Sequence, residues 1–251
     1  MADRNSPIGV FDSGVGGIGT LSALRRELPR ERFLFYGDTA NAPYGTKSRD
    51  EVMACVSRIM EHLLAQDVKA VVIACNTATA VAAAELRARY EVPIIGIEPA
   101  LKPAHEMRRE GSILVLATPM TLKLEKFHAL YERYGEGAIP LPCPGLMELV
   151  EREADEEARR YLLELLAPYD LTKVDAVVLG CTHYVFLRPI LRQILPETAA
   201  VLDGNAGTAR QLRRVLAARD LLAEGPGSIT LETSGNPAQV LPVMRRLLGK
   251  E

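Results

Sequence analysis

The 251-residue sequence predicts an α/β fold of two pseudo-symmetric lobes, each a mostly parallel sheet flanked by helices. Three observations carry this. Short apolar runs alternate with amphipathic stretches throughout the chain, the pattern of strands joined by covering helices. The stretch Lys69-Ala-Val-Val-Ile-Ala-Cys75-Asn76-Thr77 returns as Asp175-Ala-Val-Val-Leu-Gly-Cys181-Thr182-His183. Around these twins the whole order of elements repeats at an offset of about a hundred residues, the mark of a duplicated unit.

In order, Ile8-Gly-Val-Phe11 reads as a strand running into the turn Asp12-Ser13-Gly14-Val-Gly16-Gly17-Ile-Gly19. Leu21, Leu24 and Leu28 then recur at helical spacing. Phe33–Tyr36 is a second strand, ending in the loop Gly37-Asp38-Thr39-Ala-Asn-Ala-Pro43-Tyr44-Gly45. A helix is expected over 48–65, with Asp50 and Glu51 in the first turn, where the backbone dipole favours acids. The run ending at Cys75 is the third strand, 78–90 a helix and 92–97 a fourth strand.

The second cycle has a strand over 112–117 ending at Thr118-Pro-Met-Thr121, a helix over 122–134 and a short strand over 138–141. A single long helical pattern covers 146–166, and the echo stretch ending at Cys181 follows it. A helix over 189–195 and a strand over 199–202 close the cycle. A helix near 208–217, a strand over 229–231 and a helix from about Ala238 have no counterpart between the repeats. They are expected to return to the first lobe, giving domains of 1–98 with 208–251 and 99–207.

The formal net charge of -2 leaves no basic footprint for nucleic acid or an anionic membrane. The first residues lack the apolar core of a signal peptide and no run has the length of a membrane span, so a cytoplasmic protein is expected. The four cysteines, Cys55, Cys75, Cys143 and Cys181, form no Cys-x-x-Cys pair and have no ligand spacing with the histidines. Neither a disulfide framework nor a metal site is expected.

In open α/β sheets ligands bind beyond the carboxyl ends of the strands. Five polar clusters are placed there: Asp12-Ser13, Asp38 to Gly45, Cys75-Asn76-Thr77, Thr118 to Thr121, and Cys181-Thr182-His183. Cys55, on an apolar helix face, reads as a small hydrophobe. Cys75 and Cys181 stand where a buried strand meets the amides of a following helix, a setting that activates thiols. One cysteine with His183 as base would suit acyl transfer. A matched pair suits removal of a proton from one face of a carbon and delivery to the other, which is stereoinversion. Asp12 is equally suited to capping a helix, and His183 to closing a loop. Gly14-Val-Gly16-Gly-Ile-Gly19, with Asp38 19 residues further on, also matches a dinucleotide fingerprint. Against a nicotinamide dehydrogenase, Asp12 places a carboxylate near the spot where a pyrophosphate needs amides. A non-catalytic amino-acid binding protein remains the third reading.

Ile8-Gly-Val-Phe-Asp12-Ser13-Gly-Val-Gly-Gly, Gly37-Asp-Thr-Ala-Asn-Ala-Pro-Tyr44-Gly45, Ala74-Cys75-Asn76-Thr77-Ala and Leu179-Gly-Cys181-Thr182-His183-Tyr resemble, in order, the signature segments of the glutamate racemases. These are cofactor-independent enzymes of the aspartate/glutamate racemase type. The resemblance implies interconversion of L- and D-glutamate in a cleft between the lobes, supplying D-glutamate for peptidoglycan. It makes Cys75 and Cys181 the two bases, assisted by Asp12 and His183, with Glu151 a further acid of the site. Asp12, Ser13, Tyr44, Gly45, Asn76, Thr77, Thr182 and His183 fall on substrate-contacting positions. Thr118 and Thr121, at an equivalent strand end, are taken as further substrate contacts. No cofactor and no metal are expected, and a homodimer is the expected assembly. Aspartate racemases resemble Cys-Thr-Glu where this chain has Cys181-Thr182-His183, so glutamate is favoured over aspartate.

Overall fold

A computed structural model describes residues 3–250. In chain order its regular elements are β1 (Ile8–Asp12), α1 (Ile18–Glu27), β2 (Arg32–Gly37), α2 (Arg49–Leu64), β3 (Ala70–Ile73), α3 (Asn76–Arg89), β4 (Ile94–Gly96) and α4 (Leu101–Met107). Next come β5 (Ser112–Ala117), α5 (Pro119–Lys123), α6 (Glu125–Tyr134), β6 (Ala138–Pro142), α7 (Leu146–Glu151), α8 (Asp155–Leu166), β7 (Val174–Leu179) and α9 (Arg188–Ile194). The chain finishes with β8 (Ala200–Asp203), α10 (Asn205–Ala218), β9 (Ser228–Thr233) and α11 (Pro237–Lys250). It divides into two compact units, one of residues up to Glu98 with those from Asn205 on, the other Pro99–Gly204.

The sheet of the first unit has the order β4-β3-β1-β2-β9 and that of the second β6-β5-β7-β8. Every pairing in both is parallel. Matching β1 to β5 and so on through β4 to β8, the two orders are the same, so the duplication legible in the sequence is a duplication of topology. β9 extends the first sheet beyond β2, with Arg32 to Gly37 opposite Ser228 to Thr233.

All five residues of β1 and all four of β3 are buried, as strands covered on both faces must be. In the second unit alternate residues serve opposite faces: Leu114, Leu116, Val177 and Leu179 enter one apolar cluster, Ile113, Val115, Ala176 and Val178 the other. The buried Cys181 and Tyr184 belong to the first cluster, which anchors the loop after β7 to the core.

The helix expected over 48–65 is α2, begun by a capping box: Ser48 Oγ accepts from the Glu51 N–H at 3.3 Å, and Glu51 Oε2 from the Ser48 N–H at 2.8 Å. The single helix expected over 146–166 is instead two, α7 and α8. Glu153 takes a positive φ of 54° between them, and its N–H bonds the Val150 carbonyl at 3.1 Å. The apolar spacing runs on through the break, which is why periodicity alone does not show it. Likewise α3 starts at Asn76, two residues before the expected boundary, because Cys75 itself is its N-cap. No helix among the described residues is long and apolar enough to cross a membrane.

Candidate active site

In each sheet the chain leaves the first strand to one side and returns on the other, so the switch point lies between β1 and β3 in the first unit and between β5 and β7 in the second. The twin cysteines follow β3 and β7 at these points.

In the first unit, Cys75 is 6% exposed. Its Sγ accepts from the Ala78 N–H at 3.4 Å and lies 3.5 Å from Ser13 Oγ, to which the thiol donates. An amide aimed at sulfur from the first turn of a helix favours negative charge on it. Asn76, Thr77, Ser13 and Asp12 are all buried around it. Asn76 Oδ1 is buried without a hydrogen-bond partner among the described residues, an acceptor that an ammonium or N–H donor would satisfy.

Asp12 is not the cap of α1; that place falls to Gly17. One oxygen of its carboxylate instead accepts from the Gly14 N–H at 3.0 Å. A Cβ at Gly17 would stand 2.6 Å from Asp12 Cβ and 3.0 Å from Ala74 Cβ, so the glycine lets α1 close onto the strand ends that carry Asp12 and Cys75. The same geometry disfavours the dinucleotide reading, since the carboxylate already takes an amide of the loop that would cradle a pyrophosphate. Tyr44 is buried, and its hydroxyl donates to Asp38 Oδ2 at 2.6 Å. Burial, reinforced by Asp38, holds that phenol well above its ordinary value.

In the second unit, Cys181 Sγ lies 4.0 Å from His183 Nδ1, and His183 Nε2 is 3.0 Å from Glu151 Oε1. His183 is buried with 2% of its side chain exposed, whereas Glu151, the last residue of α7, keeps 35%. The kink at Glu153 ends α7 where Glu151 meets the histidine. Sulfur, imidazole and carboxylate thus form a chain, and His183 is more than a loop closure. The hydrogen bond from His183 holds the Glu151 carboxyl below its ordinary value, against the opposing effect of burial. Thr182 is buried beside them.

That depression gives a testable pH dependence. A carboxyl whose folded value lies below its unfolded one adds stability above the unfolded value, about pH 4.3 for glutamate, and loses it as pH falls through the folded value. Chemical denaturation followed by circular dichroism should therefore find the Glu151→Gln variant losing less stability than the native chain below that pH. Superimposable acid profiles would discount the His183–Glu151 contact.

Thr118 and Thr121 are brought together, with hydroxyls 2.9 Å apart and the Thr121 N–H donating to Thr118 Oγ1 at 3.2 Å, so Thr118 caps α5. Sequence reasoning gave three residues no role in a racemase site. Asp38 is one. Tyr184, fully buried, donates its hydroxyl to the Cys143 carbonyl at 3.1 Å and ties the loop after Cys181 to the end of β6. Cys143 follows β6. Burial, with a further contribution from Cys181, pushes its thiol up to about 12, so it stays protonated at neutral pH. Only its place at a strand end marked it in the sequence. No disulfide joins any of the four cysteines among the described residues. Among the described residues no group of three or more His, Cys, Asp and Glu side chains is arranged to hold a metal ion.

Fold and site together define a duplicated, doubly wound α/β protein with a thiol at the switch point of each half. The chain belongs to the Asp/Glu/Hydantoin racemase family, whose model matches residues 20–212. It is 47% identical to the glutamate racemase of Bifidobacterium adolescentis, over 98% of both chains. Among solved structures it is similar to the glutamate racemase of Thermus thermophilus in complex with beta-chloro-D-alanine, with a TM-score of 0.85 at 38% identity, covering 98% of this chain and 94% of that one. It is also similar to the Escherichia coli glutamate racemase in complex with L-glutamate and the activator UDP-MurNAc-ala, with a TM-score of 0.84 at 31% identity, covering 96% of this chain and 95% of that one.

Proposed function

We propose that this protein interconverts L- and D-glutamate without a cofactor, using Cys75 and Cys181 as paired acid and base at the α-carbon. The observation that supports it most is the twin placement: a buried cysteine at the same strand end of both sheets, each with its own auxiliary groups.

The chemistry follows from the difficulty of the proton. An α-hydrogen is far less acidic than any side chain, so its removal needs a base in contact and donors that hold the charge shifted into the carboxylate. In one direction the Cys75 thiolate takes the α-proton of D-glutamate and the Cys181 thiol gives its own to the opposite face, leaving Cys75 protonated and Cys181 as thiolate. The reverse turnover restores the first state. Asp12 assists Cys75, and His183, backed by Glu151, assists Cys181. Ser13, Asn76, Thr77 and Thr182, with Tyr44 and Gly45, hold the substrate, and Thr118 and Thr121 complete its surroundings. Asn76 Oδ1 is suited to the ammonium, and the amides at the start of α3 to a carboxylate. No metal and no redox group enters these steps.

The product would feed peptidoglycan synthesis from the cytoplasm, with the enzyme acting as a homodimer that engages neither nucleic acid nor membrane. The test is incubation with L-glutamate in deuterium oxide. Ellipticity should decay to zero, with deuterium appearing in D-glutamate while early remaining L-glutamate stays protiated. Deuterium entering substrate as fast as product would overturn the two-thiol reading, and binding without turnover would make the protein a carrier.

A further inference from the structure

The racemase reading gives the buried Asp38 no role. Asp38 is 2% exposed and follows β2, next to the strand that ends in Asp12. Its two carboxylate oxygens are both taken by the loop that follows it: Oδ2 accepts the Tyr44 hydroxyl at 2.6 Å, and Oδ1 the Asn41 side-chain N–H at 2.8 Å. Its backbone N–H in turn donates to the Asp12 carbonyl at 2.9 Å. One residue therefore joins the Tyr44–Gly45 segment to the strand end that carries Asp12.

A buried carboxylate is stable only when its oxygens are satisfied, and hydrogen bonds to a charged group are the strong ones. The geometry also decides what Tyr44 can do. Its ring is 1% exposed and its one hydroxyl proton is given to Asp38, so the phenol has no proton to offer a substrate carboxylate. The side chain is an anchor, and what the segment presents to an anionic ligand is its backbone. Gly45, without a Cβ, allows the closest approach of the chain.

Resting on the racemase reading, we infer that Asp38 is a positioning residue for substrate binding: it fixes the Tyr44–Gly45 segment through the tyrosine hydroxyl and ties it to the Asp12 strand. It touches neither the substrate nor the reacting proton. Asp38→Asn keeps the size of the side chain but discharges it, and Tyr44→Phe removes the donor with little change of shape.

The experiment is steady-state kinetics of Asp38→Asn, Asp38→Ala, Tyr44→Phe and the Asp38→Ala/Tyr44→Phe double variant, with D-glutamate binding by calorimetry and melting temperature measured alongside. Each single variant should raise KM about tenfold, the scale of one hydrogen bond to a charged group, with the larger part of the loss in kcat/KM appearing in KM. The double variant should be no worse than Asp38→Ala alone, because the two residues act through one bond. A KM within about twofold of the native value, or losses that multiply, would overturn the assignment. So would a fall in melting temperature and kcat with KM unmoved, the pattern of a merely structural carboxylate. If the native protein racemises glutamate and the variants keep its KM, this inference alone fails. If the native protein neither binds nor turns over glutamate, the racemase reading fails and takes this one with it.

Discussion

Replacing either Cys75 or Cys181 by serine should lower kcat/KM for glutamate by about a thousandfold or more, within the range a positioned general base contributes. A serine hydroxyl in place of a thiol keeps the shape of the site and can still hydrogen-bond, but it is a far poorer proton acceptor at neutral pH. The two enantiomers have equal free energy, so kcat/KM must fall by the same factor in both directions, whichever base is lost. The assignment of each cysteine to one enantiomer is therefore read from isotope effects. With Cys75→Ser, removal of the α-proton from D-glutamate becomes limiting. α-Deuterated D-glutamate should then show a full primary effect, and α-deuterated L-glutamate a small one; Cys181→Ser should invert the pattern. The double variant should lose little more than either single one, since the two residues act as a unit. Cys143→Ala is the control. Its thiol is pushed up to about 12 by burial and stays protonated, so most activity should survive. Either serine variant keeping more than about a tenth of the native rate would remove that cysteine from the reaction, being far above what loss of a base allows.

The strand ends were legible in the sequence because central strands of a parallel sheet are apolar throughout and stop abruptly. β5 lies where the pattern places it, at Ser112–Ala117. Helix boundaries were less legible, for local reasons. Asn76 and Thr77 read as a loop after a strand, yet they form the first turn of α3, because a cysteine sulfur can cap a helix. The split between α7 and α8 depends on one residue, Glu153, taking a positive φ, and glutamate gives no hint of it. α4 spans seven residues and falls between two motifs, too short for its periodicity to stand out.

The site divides in the same way. Cys75 and Cys181 were visible as a pair because a repeat makes each the witness for the other, and His183 is close to Cys181 in sequence. The His183–Glu151 contact links residues 32 apart in the chain. Nothing local announces it, and only likeness to known segments pointed to Glu151. Asp38 shows the opposite failure. Its spacing from the glycine turn matched a dinucleotide fingerprint, whereas the fold turns its carboxylate onto Tyr44, six residues on. Spacing reports where a side chain starts, and the loop that follows decides what it meets.

A second large effect is expected at the end of β3 opposite to Cys75. Lys69 and Glu31 precede β3 and β2, and their side chains are 0% and 2% exposed, with Nζ 2.6 Å from Oε2. The ammonium also donates to the Arg4 carbonyl at 2.5 Å and the Leu221 carbonyl at 2.8 Å, and Glu31 Oε1 accepts the Ala223 N–H at 2.9 Å. One buried pair thus closes the connection between α10 and β9, and the segment before β1, onto the amino ends of the central strands. Lys69→Met leaves a buried carboxylate without its counter-charge, and breaking such a pair from one side costs about 3–5 kcal/mol. For a chain of this size that corresponds to a fall of roughly 10 °C in melting temperature, measurable by calorimetry. An apolar double variant, Lys69→Met with Glu31→Leu, removes the stranded charge and should recover part of the loss. Full recovery is not expected, because the carbonyls of Arg4 and Leu221 and the N–H of Ala223, all part-buried, lose their partners together. A double variant that melts with the native protein would mean that those backbone groups find other partners, and that the pair serves charge balance alone. A Lys69→Met variant that melts with the native protein would show that the ion pair contributes nothing to the closure.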